Sequence, residues 1–172
     1  MLDLQTLFLR ALEPTDIEVL FKVENDPALQ FYSSHNGPYS RFMLQRYIKQ
    51  QHQSIYEQKQ QRFVISPSSG EVLGFVDIFD FDPQNKRAGV GIVVLSKYRT
   101  KGVGTKALAL LEAFVIQHYD MHMLHADVLC DNIASCALFE KGKYVSMGIK
   151  RDWYFFQQKF HDVKGYQKIL TS

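Results

Sequence analysis

The chain predicts a single α+β domain spanning residues 1–172, built on one mixed, mostly antiparallel sheet of about six or seven strands flanked by about four helices. Three observations carry this. The hydrophobic spacing switches from helical to strand-like at Gln61 and back again near residue 103. Three strand-like runs, RFVIS, VLGFVDIF and RAGVGIVVL, are joined only by the turns PSSGE and DPQNK, too short for crossovers and so antiparallel. No linker, repeat or low-complexity tract divides the 172 residues, a length suited to one domain.

The elements follow in order. LFLRA at 7–11 reads as a first strand. A helix follows, with Pro14 at its start, Ile17, Leu20, Phe21 and Val23 at helical spacing, and the Asp26-Pro27 pair as its stop. FYSSHNGPYS at 31–40 is turn chemistry. Ser40 then caps a predicted helix running to about Gln60, with Met43, Leu44, Tyr47, Ile48 and Ile55 on one side. After the three hairpin strands comes a helix from about 103 to 118, with Ala107, Leu108, Leu111, Phe114 and Val115 as its apolar face. MLHADVLC is a strand, and NIASCALFEKG is a short helix capped by Asn132 and ending near Gly142. YVSMGI begins a further strand, and WYFF with VKGYQKIL closes the chain.

Bulk composition excludes several functions. A net charge of +2 lacks the basic stripe of a nucleic-acid binder. No apolar run reaches the roughly 18 residues of a membrane span. MLDLQTLFLRAL has no basic start or small-residue cleavage site, so no signal peptide is expected. Cys130 and Cys136 give no disulfide framework and read as small buried hydrophobes, which points to a reduced, cytoplasmic protein. His118, His122 and His125 invite a metal reading, but a helix end and a strand start separate them, so no metal site is expected.

The chemistry gathers at KYRTKGVGTKA, residues 97–107. Glycines and cations at the start of a helix suit an anion, because the first amides of a helix lack intrahelical acceptors. A P-loop requires G-x-x-x-x-G-K-[ST], which is absent. Gly102-x-Gly104-x-x-Ala107 with Asp127 beyond it matches a dinucleotide fingerprint. However, SKYRTK separates the strand from Gly102, and the preceding strands are hairpin-linked rather than parallel. The third reading is a diphosphate cradle of the form R-x-x-G-x-G, Arg99 to Gly104. Amides from Lys101 to Thr105 can then form an anion nest, and Lys97, Arg99, Lys101 and Lys106 add to its field.

That stretch resembles motif A of the GCN5-related N-acetyltransferases, the GNAT family. The resemblance extends to LFLRALEPTDIEVLFKVENDP, RAGVGIVVLSKYRTKGVGTKAL and LHADVLCDNIASCALFEKGKYVSMG, in the order found in the branch of ribosomal-protein N-terminal and spermidine acetyltransferases. It implies a GNAT-like sheet with a splayed strand pair that binds acetyl-CoA, the co-substrate. The pantetheine arm would meet backbone at Val93, Val94 and Leu95, and the diphosphate would meet Arg99, Thr100, Lys101, Gly102, Val103, Gly104 and Thr105. Asn132, Ser135 and Phe139 complete the cofactor-binding set that the resemblance implies. The activity implied is transfer of acetyl to a primary amine: a polyamine, an aminoglycoside-like amine or a protein N-terminus.

Proton handling departs from the family pattern. Relatives often carry Glu where this chain has Gly89, and a general-acid Tyr where it has Phe139. Asp77 and Tyr144 are the weak replacement candidates, each with a competing reading, as a solvent-side strand residue and as core. A non-catalytic acyl-CoA-binding or sensing protein is therefore the alternative reading. Glu24, Asp26, Asp77, Asp80 and Asp82 either draw a cationic amine or are turn and surface acids. Trp153, Tyr154 and Phe155 suit a wall of the acceptor site, a homodimer contact or a sheet core.

Overall fold

A computed structural model describes residues 3–27, 29, 37–51 and 53–170. Seven strands form one sheet: β1 (Phe8–Ala11), β2 (Gln61–Ser66), β3 (Gly74–Asp82), β4 (Arg87–Val94), β5 (Met123–Leu129), β6 (Val145–Phe156) and β7 (Lys159–Ile169). Their spatial order is β1-β2-β3-β4-β5-β7-β6, and every neighbouring pair is antiparallel except β4–β5. That single parallel pair is joined by a helix, α4 (Val103–Tyr119), because parallel neighbours need a crossover. The remaining α-helices among the described residues are α1 (Ile17–Glu24), α2 (Arg41–Gln50), α3 (Ile55–Gln58) and α5 (Ile133–Lys141).

Strand alternation divides the core into two clusters. On the α4 side, Phe63, Ile65, Val76, Ile78, Ala88, Val90, Leu124 and Ala126 pack against Ala107, Leu108, Leu111 and Val115. On the other side, Val64 and Phe75 pack against Leu20 and Val23 of α1 and Leu44 and Ile48 of α2. The α1 entrance is fixed by an ion pair: Arg10 donates two hydrogen bonds, of 2.7 and 2.8 Å, to Asp16, which also accepts the Glu13 N–H at 2.8 Å. Asp16 is only 3% exposed.

Two expectations change. The helix predicted from Ser40 to about Gln60 is two helices, with Ser40 capping α2 and Ser54 capping α3. Leu44 and Ile48 enter the α1-side core, whereas Ile55 enters the α4-side core beside Phe63 and Phe81. One straight helix cannot serve both, so the chain turns, and the Gln51 side chain caps the turn by accepting the Arg62 N–H at 2.9 Å. At the C-terminus, WYFF belongs to the same strand as YVSMGI, and the reversal falls at Gln157–Gln158. Both glutamines have positive φ, 48° and 58°, as a tight two-residue hairpin turn requires, without the Asn-Gly signal that usually announces one. Residues 31–36 of the predicted turn segment lie outside the described residues.

Candidate active site

β4 pairs with β3 along its length, but it pairs with β5 only at Arg87–Met123, Ala88–Leu124 and Gly89–His125. Beyond Gly89, β5 keeps its antiparallel register with β7 while β4 parts from it, leaving a wedge. The Leu95 N–H donates to Leu73 O at 2.9 Å, towards β3. Backbone alternation therefore also turns Val93 to β3 and turns Ile92 and Val94 to the wedge. The Val94 carbonyl accepts from Arg99 Nε at 2.9 Å, and the Val94 N–H and both Ile92 groups have no strand opposite them. Of the three backbone positions expected to meet the pantetheine arm, Val94 faces the wedge and Val93 and Leu95 face the sheet. Ile92 went unnoticed because a sequence does not show which edge of a strand is open.

The glycine loop closes the wide end of that wedge. A single 3-10 turn, Ser96–Tyr98, leads from β4 into residues 99–102. Gly102 precedes α4 with φ 82°, a conformation that favours glycine, and no side chain caps the helix. Lys106 N–H bonds Gly102 O at 3.0 Å, so the amides of Val103, Gly104 and Thr105 are the ones without intrahelical acceptors. Val103 itself is 1% exposed, its side chain packed into the α4-side core, whereas Gly104 and Thr105 are half-buried. A Cβ on Gly104 would stand 3.2 Å from Leu138 and 3.7 Å from Val94, so glycine there also lets α4 close onto α5. Among the cations, Lys97 pairs with Glu71 at 2.9 Å and lies 4.6 Å from the Tyr98 ring, where the Tyr98 hydroxyl also donates to Glu71. Arg99 and Lys101 are exposed at the loop, and Lys106 is half-buried on the first turn of α4.

The remaining predicted residues lie elsewhere. Asn132 Oδ1 accepts the Ser135 N–H at 3.1 Å and caps α5, so these two residues form one local unit. Phe139 is 2% exposed and stacks on Tyr166, with ring centroids 5.9 Å apart. Tyr144 is also buried, edge-on to Phe139 at 5.1 Å. Burial and then the nearby Glu112 carboxylate push the Tyr144 phenol far above its ordinary value, and its hydroxyl makes no hydrogen bond of good geometry.

Asp77 sits on the opposite sheet face, where Arg62 grips it in a fork of 2.5 and 2.9 Å and also binds Glu24. The guanidinium lies 5.6 Å from the Tyr47 ring and 5.6 Å from the Phe75 ring, with 17% of its side chain exposed. Burial opposes its charge, but Asp77, with Tyr47 and Glu24 beside it, outweighs burial and holds Arg62 firmly protonated. Burial likewise pushes the Tyr47 phenol up to about 12. Tyr47, Arg62 and Asp77 line a cavity of about 150 Å³ together with Gln60, Gln61, Ile78 and Phe79. Arg62 was not anticipated as a partner of Asp77, because the two lie 15 residues apart and meet only through the β2–β3 register.

Residues 6–144 match the Acetyltransferase (GNAT) domain family. The chain belongs to that family. GNAT relatives include the SPbeta prophage-derived uncharacterized N-acetyltransferase YokL of Bacillus subtilis, 26% identical over 92% of this chain and 86% of the relative. Spermidine N(1)-acetyltransferase of Escherichia coli K12 is 25% identical over 77% of this chain and 69% of its own. The crystal structure of spermidine N-acetyltransferase from Vibrio cholerae, in complex with CoA and spermine, superposes with a TM-score of 0.84 at 20% identity, covering 96% of each chain.

As a GNAT acetyltransferase the protein takes acetyl-CoA as acyl donor, and the open amides after Gly102 and the unpaired β4 edge fit that co-substrate. The two positions where the family resemblance leads one to expect Glu and Tyr, 89 and 139, are both closely packed. At position 89 a Cβ would stand 2.3 Å from the Phe79 ring, and Phe139 is enclosed between Tyr144 and Tyr166. Opposite Gly89 stands His125, which the sequence pattern left among exposed or core histidines. The signal was present in the strand period: Leu124, Ala126 and Val128 point to one core, which sets His125 and Asp127 on the opposite face. Among the described residues no three His, Cys, Asp or Glu side chains gather as a metal site, and no helix is long and apolar enough to cross a membrane.

Proposed function

We propose that this GNAT protein transfers the acetyl group of acetyl-CoA to a primary amine of a polyamine, within a ternary complex. The observation that supports this best is the coincidence of two features at one end of β4: the wedge beyond Gly89 and the uncapped start of α4. The diphosphate would take the amides from Lys101 to Thr105, with Arg99 and Lys101 beside them. The pantetheine arm would take the Val94 and Ile92 edge, and an amide there would serve the carbonyl oxygen as it becomes an oxyanion. Asn132 and Ser135, at the start of α5, are proposed to border the arm.

The polyamine class is favoured by the spermidine acetyltransferases among the relatives. It is also supported by charge: Glu24 and Asp77 share one guanidinium on the β3 face, which leaves one negative charge in excess beside the cavity. Both cysteines are free, in keeping with a reducing cytoplasm. A second copy of the chain is the proposed partner of β6. That edge strand carries Met147, Ile149, Trp153, Tyr154 and Phe155 exposed, an apolar run that a dimer contact would cover.

Free thiol released from acetyl-CoA, with amines graded from monoamines to polyamines and short peptides, tests the proposal. Release that rises with acceptor charge supports it. Release only with peptides would move the acceptor to protein N-termini. CoA binding without release from any amine would leave an acyl-CoA-binding protein.

A further inference from the structure

We propose that His125 is the group that takes the proton from the amine, an assignment that rests on the acetyl-transfer reading above. His125 forms the last β4–β5 pair, with Gly89, at the point where the wedge opens. Its imidazole lies on the face away from α4, edge-on to Phe79 with centroids 6.3 Å apart and planes at 84°. Gly89 carries no side chain and Phe79 covers it, so the half-buried imidazole stands at the closed end of the wedge on that face, with Asp77 opposite Gly91 further along β4 and already held by Arg62. Ile92, whose amide faces the wedge, is three residues further along β4, roughly 10 Å. An amine between the two can reach the imidazole directly or through one water.

The surroundings keep this histidine in its basic form. Burial lowers its pKa below the ordinary 6.5, and Arg87 on β4 and Lys150 on β6 act in the same direction. Asp127 on β5 and Asp80 on β3 oppose them without reversing the shift, and Asp127 is itself held by Lys150 at 2.6 Å. At neutral pH the ring is therefore uncharged and has a free lone pair. The step balances as follows. The ammonium gives one proton to the imidazole, and the freed nitrogen lone pair forms a C–N bond to the thioester carbonyl carbon. The C–S bond then breaks, the sulfur leaves with its electron pair, and the second nitrogen proton goes to that thiolate. The imidazolium returns its proton to solvent.

The test compares the pH dependence of kcat/KM in the wild type and in His125→Gln, from about pH 5.5 to about pH 10. The wild type is expected to rise through an apparent pKa below 6.5 and then stay level until the amine itself titrates near 10. His125→Gln is expected to fall about 100-fold at pH 7, to lose the plateau and to climb about tenfold per pH unit as free amine appears. CoA affinity by calorimetry should match the wild type. In the resting protein, the His125 ring resonances should titrate below pH 6.5. A variant that keeps the wild-type profile, or that drops by one factor at every pH, overturns the assignment. If the Gln variant fails to fold, His125→Asn is read in the same way. No transfer by the wild type from any amine would overturn the acetyl-transfer reading, and the assignment with it.

Discussion

The ring of Phe79 lies over Gly89 so closely that a Cβ at position 89 would meet its Cε2 at 2.3 Å, Cζ at 2.6 Å and Cδ2 at 2.7 Å. The two residues are paired across β3 and β4, so neither backbone can move without shifting the sheet, and an added Cβ must displace the ring. The space beside Gly89 is filled by an aromatic ring from the next strand.

Gly89→Ala should therefore cost about 1 to 3 kcal/mol in chemical denaturation, since the ring must leave its place in a packed face. Phe79→Leu in the same chain should recover most of the loss. Strict additivity of the two changes would show that the contact is not the cause.

Arg62 joins α1, β2 and β3 through Glu24 and Asp77. Arg62→Ala leaves two carboxylates without their partner in a largely enclosed site and should cost about 3 to 5 kcal/mol. Adding Asp77→Ala to that variant should cost less than Asp77→Ala does in the wild type. A double-mutant cycle with no coupling between the two would remove Asp77 from this role and return it to the list of free acids.

Asp16 gives the fold a pH dependence of known sign. Burial raises its pKa, but the Arg10 hydrogen bonds, the Glu13 N–H and the Arg10 charge together bring it below the ordinary 3.8. The folded state thus holds the proton less tightly than the unfolded chain. The stabilisation is complete above the unfolded value and is lost as pH falls through the lower folded value. Asp16→Asn should be less stable than the wild type by about 2 kcal/mol at pH 7, and the gap should narrow as pH falls below about 3.8. Urea melts at pH 7 and pH 3 measure both.

Gly102 sits at φ 82° with its Cβ direction 3.0 Å from Leu4. Gly102→Ala should weaken CoA binding at least tenfold in calorimetry while costing stability only about 1 kcal/mol, the usual strain of a side chain at positive φ. Arg99→Ala, which frees the Val94 carbonyl, should raise the KM for acetyl-CoA more than it lowers kcat. An unchanged KM in both variants would place the donor elsewhere.

Much of this molecule was legible in the residue order because the signals are local. Turn residues between RFVIS, VLGFVDIF and RAGVGIVVL made the antiparallel pairing of β2, β3 and β4 readable. Ala107, Leu108, Leu111 and Val115 at helical spacing marked the α4 face that is buried. The glycine loop was readable in the same way, since a helix start and small residues are consecutive in the chain.

What escaped depends on contacts between distant segments. The break between α2 and α3 exists because Ile48 and Ile55 serve opposite cores, and no propensity in KQQHQS announces it. The Gln157–Gln158 turn carries none of the usual turn residues. Asp77 looked available until β2 brought Arg62 to it, and His125 looked ordinary until β5 set it across from Gly89. By itself, then, the sequence determined most of the elements, their order and the glycine loop at the start of α4, because periodicity and turn chemistry act between near neighbours. The tertiary structure alone decided where β4 leaves β5, which backbone groups that opens and which side chain stands at the gap, because strand register joins residues that the chain keeps far apart.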